Sequence, residues 1–384
     1  MNYILFDGPF RDRFLPLTYT RPVAELRIGI LTIKEKWEKH LGSTCTVLTE
    51  DYLEEKFPMV EMEQNIFIDA SVLPTESLAE EISFLSENEL LVHKDEVLAF
   101  YAGMDQEQVD FSKYEAKEYS GDLIQISNLK DLFLFNDKAL RADYDLLTKD
   151  KVSAELSNTN QVLGAENIFI EDGATVEFAM LNATTGPIYI AKNSLIMEGS
   201  MIRGPFAIHE KAVVKMGAKI YGATTVGPNC TVGGEIKNVI FIANSNKGHD
   251  GYLGDSVVGA WCNLGANTNG SNLKNTFSNV HVWDFETERF EDTGSLKFGA
   301  VLGDYTKTAI NTSLNTGTIT GVCCHVFGAD FPDKFLPSFS WGTPKEVYAL
   351  EKAKEAAKKI QEFKKETFSE LDAHIFEILF ELRT

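Results

Sequence analysis

The sequence predicts an α/β domain, then a left-handed parallel β-helix, then a short helical segment, and three observations lead there. Eight aliphatic residues, Ile190, Ile196, Ile202, Ile208, Val214, Ile220, Val226 and Val232, stand six apart. Ahead of them, short apolar strands alternate with helical stretches, and behind them cap signatures introduce lysine-rich amphipathic segments. A helix spaces its apolar positions three and four apart and a strand two apart. A six-residue step instead returns one aliphatic side chain to the same point on each face of a triangular coil.

The amino-terminal domain, residues 1–155, is predicted from strands at Tyr3–Phe6, Cys45–Leu48 and Ile66–Ile68 and helices at Glu25–Leu41 and Ser77–Leu85. Such alternation forms an open α/β sheet. Two apolar runs within Glu89–Tyr101, split by Lys94-Asp95-Glu96, read as a hairpin added to it, and the polar stretch Lys149–Asn160 reads as a linker. The solenoid is assigned to residues 160–335. Ile170 and Val176 extend the period upstream with a two-residue slip, and Leu302, Thr308, Leu314, Thr320 and Val326 resume it downstream. Turn formers such as Glu171-Asp172-Gly173 and Gly227-Pro228-Asn229 follow the hexads, as tight corners require. Residues 343–384 read as helical. Thr343-Pro344-Lys345-Glu346 has the form of a capping box ahead of Val347, Leu350, Ala353, Ala357, Ile360 and Phe363, and Thr367–Glu370 repeats the signature before a second helix to Leu382.

Composition narrows the function. A net charge of -21 argues against nucleic acid and anionic membranes as partners, so an anionic small molecule must be met by a local group of lysines. There is no apolar run of eighteen residues, and the opening MNYILFDGPFRDRF lacks the basic-then-apolar plan of a signal peptide, so a cytoplasmic location is expected. The five scattered cysteines are expected as reduced thiols, with no zinc-type clustering and no metal site.

A coil's interior is filled by its own aliphatic residues, so chemistry belongs where the period breaks. It breaks between Lys237 and Leu253, and again between Ala266 and Lys297. His249 stands in the first break beside Lys247, Asp250 and Tyr252, and an imidazole can take a proton near neutral pH without special tuning.

The string Gly248-His249-Asp250-Gly251-Tyr252-Leu253-Gly254-Asp255, followed by Asn263-Leu264-Gly265-Ala266, resembles the acetyltransferase core of a known family. That family is the bifunctional N-acetylglucosamine-1-phosphate uridylyltransferase and glucosamine-1-phosphate acetyltransferase. Glu235-Ile236-Lys237 upstream and Lys297-Phe298 downstream resemble its segments as well. The resemblance implies an acetyl-CoA-dependent N-acetyltransferase acting on an amino-sugar 1-phosphate, working as a homotrimer. It further implies His249 as general base, Asn263 as the side chain orienting the amine, and the Ala266 N–H as donor to the oxyanion. Lys237, Lys297, Tyr252 and Glu235 would contact the sugar phosphate.

The amino-terminal domain resembles sugar-phosphate nucleotidyltransferases less closely. Their Rossmann-type sheet carries a glycine-rich phosphate loop, and here the loop reads Gly8-Pro9-Phe10-Arg11-Asp12-Arg13 before Pro16-Leu17-Thr18. Pro9 offers no N–H, Phe10 replaces a glycine, and Pro22-Val23 stands where a Pro-Lys pair is expected; Arg13 fits the pattern. A divergent, shortened domain with weakened nucleotide transfer follows, with magnesium required only if that transfer persists. The competing readings are a sugar-1-phosphate nucleotidyltransferase whose solenoid mainly trimerises it, and a non-catalytic scaffold that binds sugar nucleotides.

Overall fold

The computed structural model describes residues 1–103 and 109–383. The chain divides into two compact units, one of Met1–Phe14, Thr20–Leu26 and Leu31–Asn128, the other of Leu15–Tyr19, Arg27–Ile30 and Leu129–Thr384.

The first unit is built on a six-stranded sheet. Strand Asn2–Phe6 lies between Cys45–Leu48 and Asn65–Asp69 and is parallel to both. Glu96–Ala102 runs antiparallel to Asn65–Asp69 and forms the expected hairpin with Glu89–His93. The helix expected from Glu25 starts later, at Ile33. Thr32 caps it: its Oγ1 accepts from the Glu35 N–H at 3.2 Å, and the Glu35 carboxylate accepts from the Thr32 N–H at 2.7 Å. Upstream, Val23–Glu25 is a single 3-10 turn.

The second unit is the left-handed parallel β-helix, about ten turns over residues 161–336, with helices attached. Its hexad residues point inward and are essentially inaccessible: Ile190, Ile196, Ile208, Val214, Val226 and Val232 are each 0% exposed. In the regular coils each side pairs eighteen positions on, as Ile188 with Phe206 and Val213 with Thr231. The sequence break between Lys237 and Leu253 is not an exit from the solenoid. The coils continue there but are shorter, Thr231 pairing with Asn246 and Asn246 with Asn263, so residues are lost at corners and the period slips. The second break is a true excursion. Val258 pairs with Leu302 across it, while His281–Asp284 and Arg289–Asp292 form an antiparallel hairpin outside the coil.

A helix not anticipated from the sequence, Leu129–Thr148, lies against the solenoid strands Glu235–Phe241 and Tyr252–Val258. It buries Leu129, Leu132, Asn136, Leu140, Asp143 and Leu147, spaced three and four apart, with Phe133 beside them. Phe133 meets Phe298 edge to face at 5.2 Å, and Asn136 donates to the Ala223 carbonyl at 2.8 Å while accepting from the Gly29 N–H at 2.7 Å.

The carboxy-terminal segment differs from expectation. Thr343–Val347 is a strand antiparallel to Ser340–Trp341, so Thr343 caps no helix, and the first helix begins at Leu350. The second cap is Ser369 rather than Thr367; it forms a capping box with Asp372 ahead of helix Glu370–Glu381. Both helices fold back on their own solenoid. Gln361 donates to Tyr305 Oη at 2.6 Å, Lys364 to the Asn229 carbonyl at 2.5 Å, and Phe376 packs on Tyr305 and Phe339.

His325 sits in this region with its ring 4.7 Å from Trp341 and 4.4 Å from Tyr348. Burial, and secondarily the Lys307 charge, hold its pKa down to about 4. The unfolded chain, titrating at the ordinary value of 6.5, binds more protons between those limits, so the stability due to a neutral His325 is lost as pH falls from about 6.5 to 4. Melting temperatures of His325→Phe measured from pH 7 to pH 4 should therefore decline less than those of the wild type. Parallel declines would mean that this imidazole does not titrate as described.

Candidate functional site

The solenoid places His249 and Ala266 at one corner, Asn263 on the side leading into it and Glu235, Lys237 and Tyr252 on the side leading out, while Lys297 lies beyond them. Strand Asn246–Lys247 ends one side of the coil, residues 248–251 turn the corner, and Tyr252 begins the next side. His249 is exposed at that corner. The turn is tight. A Cβ on Gly251, whose φ is 118°, would lie 2.1 Å from the Thr268 carbonyl oxygen, and one on Gly234 would lie 2.9 Å from that of His249. Only glycine permits coils to approach this closely.

Asn246 pairs with Asn263 and Leu253 with Gly270, so Ala266 occupies on the following coil the corner position that His249 occupies on this one. Neighbouring strands are separated by about 4.8 Å. The Asn267 N–H donates to the Asp250 carbonyl at 3.0 Å and ties the two corners together. Asn263 accepts from Asn246 Nδ2 at 2.9 Å, which fixes its amide along the same edge.

On the adjoining face Glu235 pairs with Tyr252 and Lys237 with Gly254. Tyr252 is held by its N–H donating to Asn269 Oδ1 at 2.9 Å. Burial, helped by the charges of Asp255, Tyr221 and Glu235, pushes its phenol up to about 12, so it stays a neutral donor. Two contributors went unread in the sequence. Tyr221 donates to Glu235 Oε1 at 2.7 Å and lies beneath the Lys237 ammonium, 5.9 Å from its ring centre. Asn272 donates to Asp255 and accepts through its carbonyl from the Phe298 N–H at 2.9 Å. Lys297, exposed, bridges to Leu273 and so lies where the excursion rejoins the coil, beyond the Lys237 end of the face. Tyr221 was findable from its place one coil before Lys237; Asn272 lies in the excursion, where no period points to it.

In the first unit a 480 Å³ cleft opens at the carboxyl ends of strands Asn2–Phe6 and Cys45–Leu48, the usual place for a ligand in an open α/β sheet. Its lining includes Asp7, Pro9, Arg11, Asp12 and Glu50. The Asp7 carboxylate accepts from the Val23 N–H and Thr49 Oγ1, each at 2.6 Å, and from Arg11 Nε at 3.1 Å. Arg11 also reaches Asp12 at 3.1 Å and Glu50 at 3.8 Å. Its charge is already met by carboxylates. Arg13 is exposed, its guanidinium 5.4 Å from the Phe10 ring. Among the described residues, no three or more His, Cys, Asp or Glu are grouped to hold a metal ion, and no helix is long and apolar enough to cross a membrane.

The chain thus joins an α/β unit bearing this cleft to a left-handed β-helix bearing a histidine at one corner. Residues 3–152 match the family model described as sugar nucleotidyl transferase. The chain is also similar to proteins named bifunctional protein GlmU. The relative from Methanococcus vannielii is 32% identical over 186 residues, 44% of this chain and 36% of that protein. The one from Methanococcus maripaludis strain S2 is 31% identical over 188 residues, 47% of this chain and 39% of its own. That from Methanococcus aeolicus is 37% identical over 107 residues, 27% of this chain and 25% of its own. The chain thus matches less than two-fifths of the length of each of these relatives.

Proposed function

We propose that the protein is an acetyl-CoA-dependent N-acetyltransferase acting on an amino-sugar 1-phosphate of the glucosamine-1-phosphate type. The observation that carries this reading is the register of His249 and Ala266 at one corner, beside a face bearing Glu235, Lys237 and Tyr252. His249 removes the proton from the sugar amine, whose lone pair then attacks the thioester carbonyl. The Ala266 N–H donates to the oxygen as negative charge gathers there, and the coenzyme A thiolate departs. Asn263 orients the amine. Glu235 and Lys237 lie two residues apart on one strand, roughly 7 Å. A sugar lying along this face therefore meets Glu235 and Tyr252 with its hydroxyls and Lys237 and Lys297 with its phosphate.

Three copies side by side complete the site. Beside it the same face carries a 710 Å³ groove whose lining includes Leu163, Met180 and Met201. These are 59%, 45% and 42% exposed, an apolar strip suited to burial against a neighbouring copy.

The family match of residues 3–152 favours a second reading, sugar-1-phosphate nucleotidyl transfer with magnesium. Against it stand Pro9 in the phosphate loop and an arginine, Arg11, held by Asp7, Asp12 and Glu50. One assay separates the readings. With glucosamine 1-phosphate and acetyl-CoA, free thiol should be released. With magnesium, nucleoside triphosphates and N-acetylglucosamine 1-phosphate, pyrophosphate should form much more slowly. Pyrophosphate without thiol release would reverse the assignment, and neither product would leave a binding scaffold.

A further inference from the structure

Lys247 occupies an inward position of the solenoid. On its side of the coil the inward ladder runs Val176, Ile196, Val214, Val232, Lys247 through consecutive pairings, and the Asn246–Asn263 register carries it on to Leu264, so a lysine stands where every earlier coil has an aliphatic residue. It is 1% exposed. Its ammonium donates to the carbonyl oxygens of His249 at 2.7 Å, Gly233 at 3.3 Å and Asp250 at 3.4 Å. The stem thus crosses the coil and its head is spent on the inner side of the corner that bears His249.

A buried ammonium is costly against an aliphatic residue of similar size, so packing alone does not account for it. What it supplies is specific. The corner belongs to a shortened coil, and the His249 and Gly233 carbonyls turn inward, where an aliphatic neighbour would take this donor from them, while the Asp250 carbonyl would keep its bond from the Asn267 N–H. Two of the three acceptors belong to His249 and its successor. Anchoring that backbone on its inner side fixes the direction in which the imidazole leaves the surface.

From this geometry we infer that Lys247 is the positioning residue of the His249 corner, acting from inside the solenoid on the orientation of the base. The inference rests on the assignment of His249 in the proposed function, and its test separates the two. In Lys247→Met the side chain keeps its length and loses its donors. Hydrogen exchange read by mass spectrometry should then be at least 10-fold faster in peptides covering residues 247–253 and unchanged in the coils at residues 188–226. The melting temperature should be equal or higher. In acetyl transfer kcat should fall by about 10-fold or more, with KM for both substrates within about 2-fold, because binding groups on the face are untouched. Unchanged exchange at the corner overturns the inference whatever the activity. Faster exchange with an unchanged kcat does so too, and so does a lowered melting temperature with exchange raised throughout, which marks a general structural role. Lys247→Leu, read the same way, covers the case in which methionine fails to fold. A wild-type protein that transfers no acetyl group would instead defeat the proposed function, and the exchange arm would still decide whether Lys247 holds the corner.

Discussion

Replacing His249 with alanine is expected to lower the rate of acetyl transfer by about 100-fold or more, the usual contribution of a positioned general base. An amino sugar that remains an ammonium has no lone pair to offer a thioester, and no other imidazole stands on this corner. His249 is exposed, and its backbone is held through the Lys247 ammonium and the close coil contacts of Gly234 and Gly251. Truncation beyond Cβ should therefore leave oligomeric state and melting temperature nearly unchanged. Thiol release followed at saturating substrates checks the rate, and calorimetry checks the fold. A fully active variant would remove His249 from the mechanism.

Phe376→Ala should cost about 3–5 kcal/mol of unfolding free energy, the range for deleting a buried aromatic ring. The ring is 2% exposed and lies between Tyr305 at 5.1 Å, Phe368 at 5.4 Å and Phe339 at 6.0 Å, so truncation opens a cavity that rigid coils on one side cannot close. Tyr305 belongs to the solenoid, Phe339 to the turn between its last coil and the rung Ser340–Trp341, and Phe376 to the last helix. The loss should therefore appear in the transition of the solenoid itself when unfolding in urea is followed. A separate early transition of the helices, with the solenoid unaffected, would show that their packing on the coils contributes little.

The solenoid was readable because its inward positions are filled by aliphatic residues at a fixed step, and those from Ile190 to Val232 are all buried. Reading stopped where the physics changed. Lys247 fills an inward position with an amine, and the coils around it drop residues at their corners, so a continuous wall looked like a gap. The site letters lay in that gap and were legible only as a string; their stacking on successive coils came from strand register. Thr343-Pro344-Lys345-Glu346 carries the letters of a capping box, but Tyr348 stacks on Trp341 at 5.0 Å, and pairing with Ser340 and Trp341 draws Thr343–Val347 into a strand. Tertiary pairing overrode a local signal. Helix Leu129–Thr148 was legible in principle, since its buried residues follow helical spacing.

The reversal of chain direction at residues 340–347 also bears on how the molecule behaves in a crowded solution. A parallel coil ends on a row of open amide and carbonyl groups that any further coil, from this chain or another, could extend, which is how end-to-end fibres grow. Here the rung Ser340–Trp341 is taken up by a strand running the opposite way, with Pro344, which has no N–H to give, near its start. The stack is thereby closed to fresh parallel rungs along this side. Growth of the column ends through a change of polarity as well as through loss of the repeat, and variants that unpair Thr343–Val347 are the ones to watch for filaments.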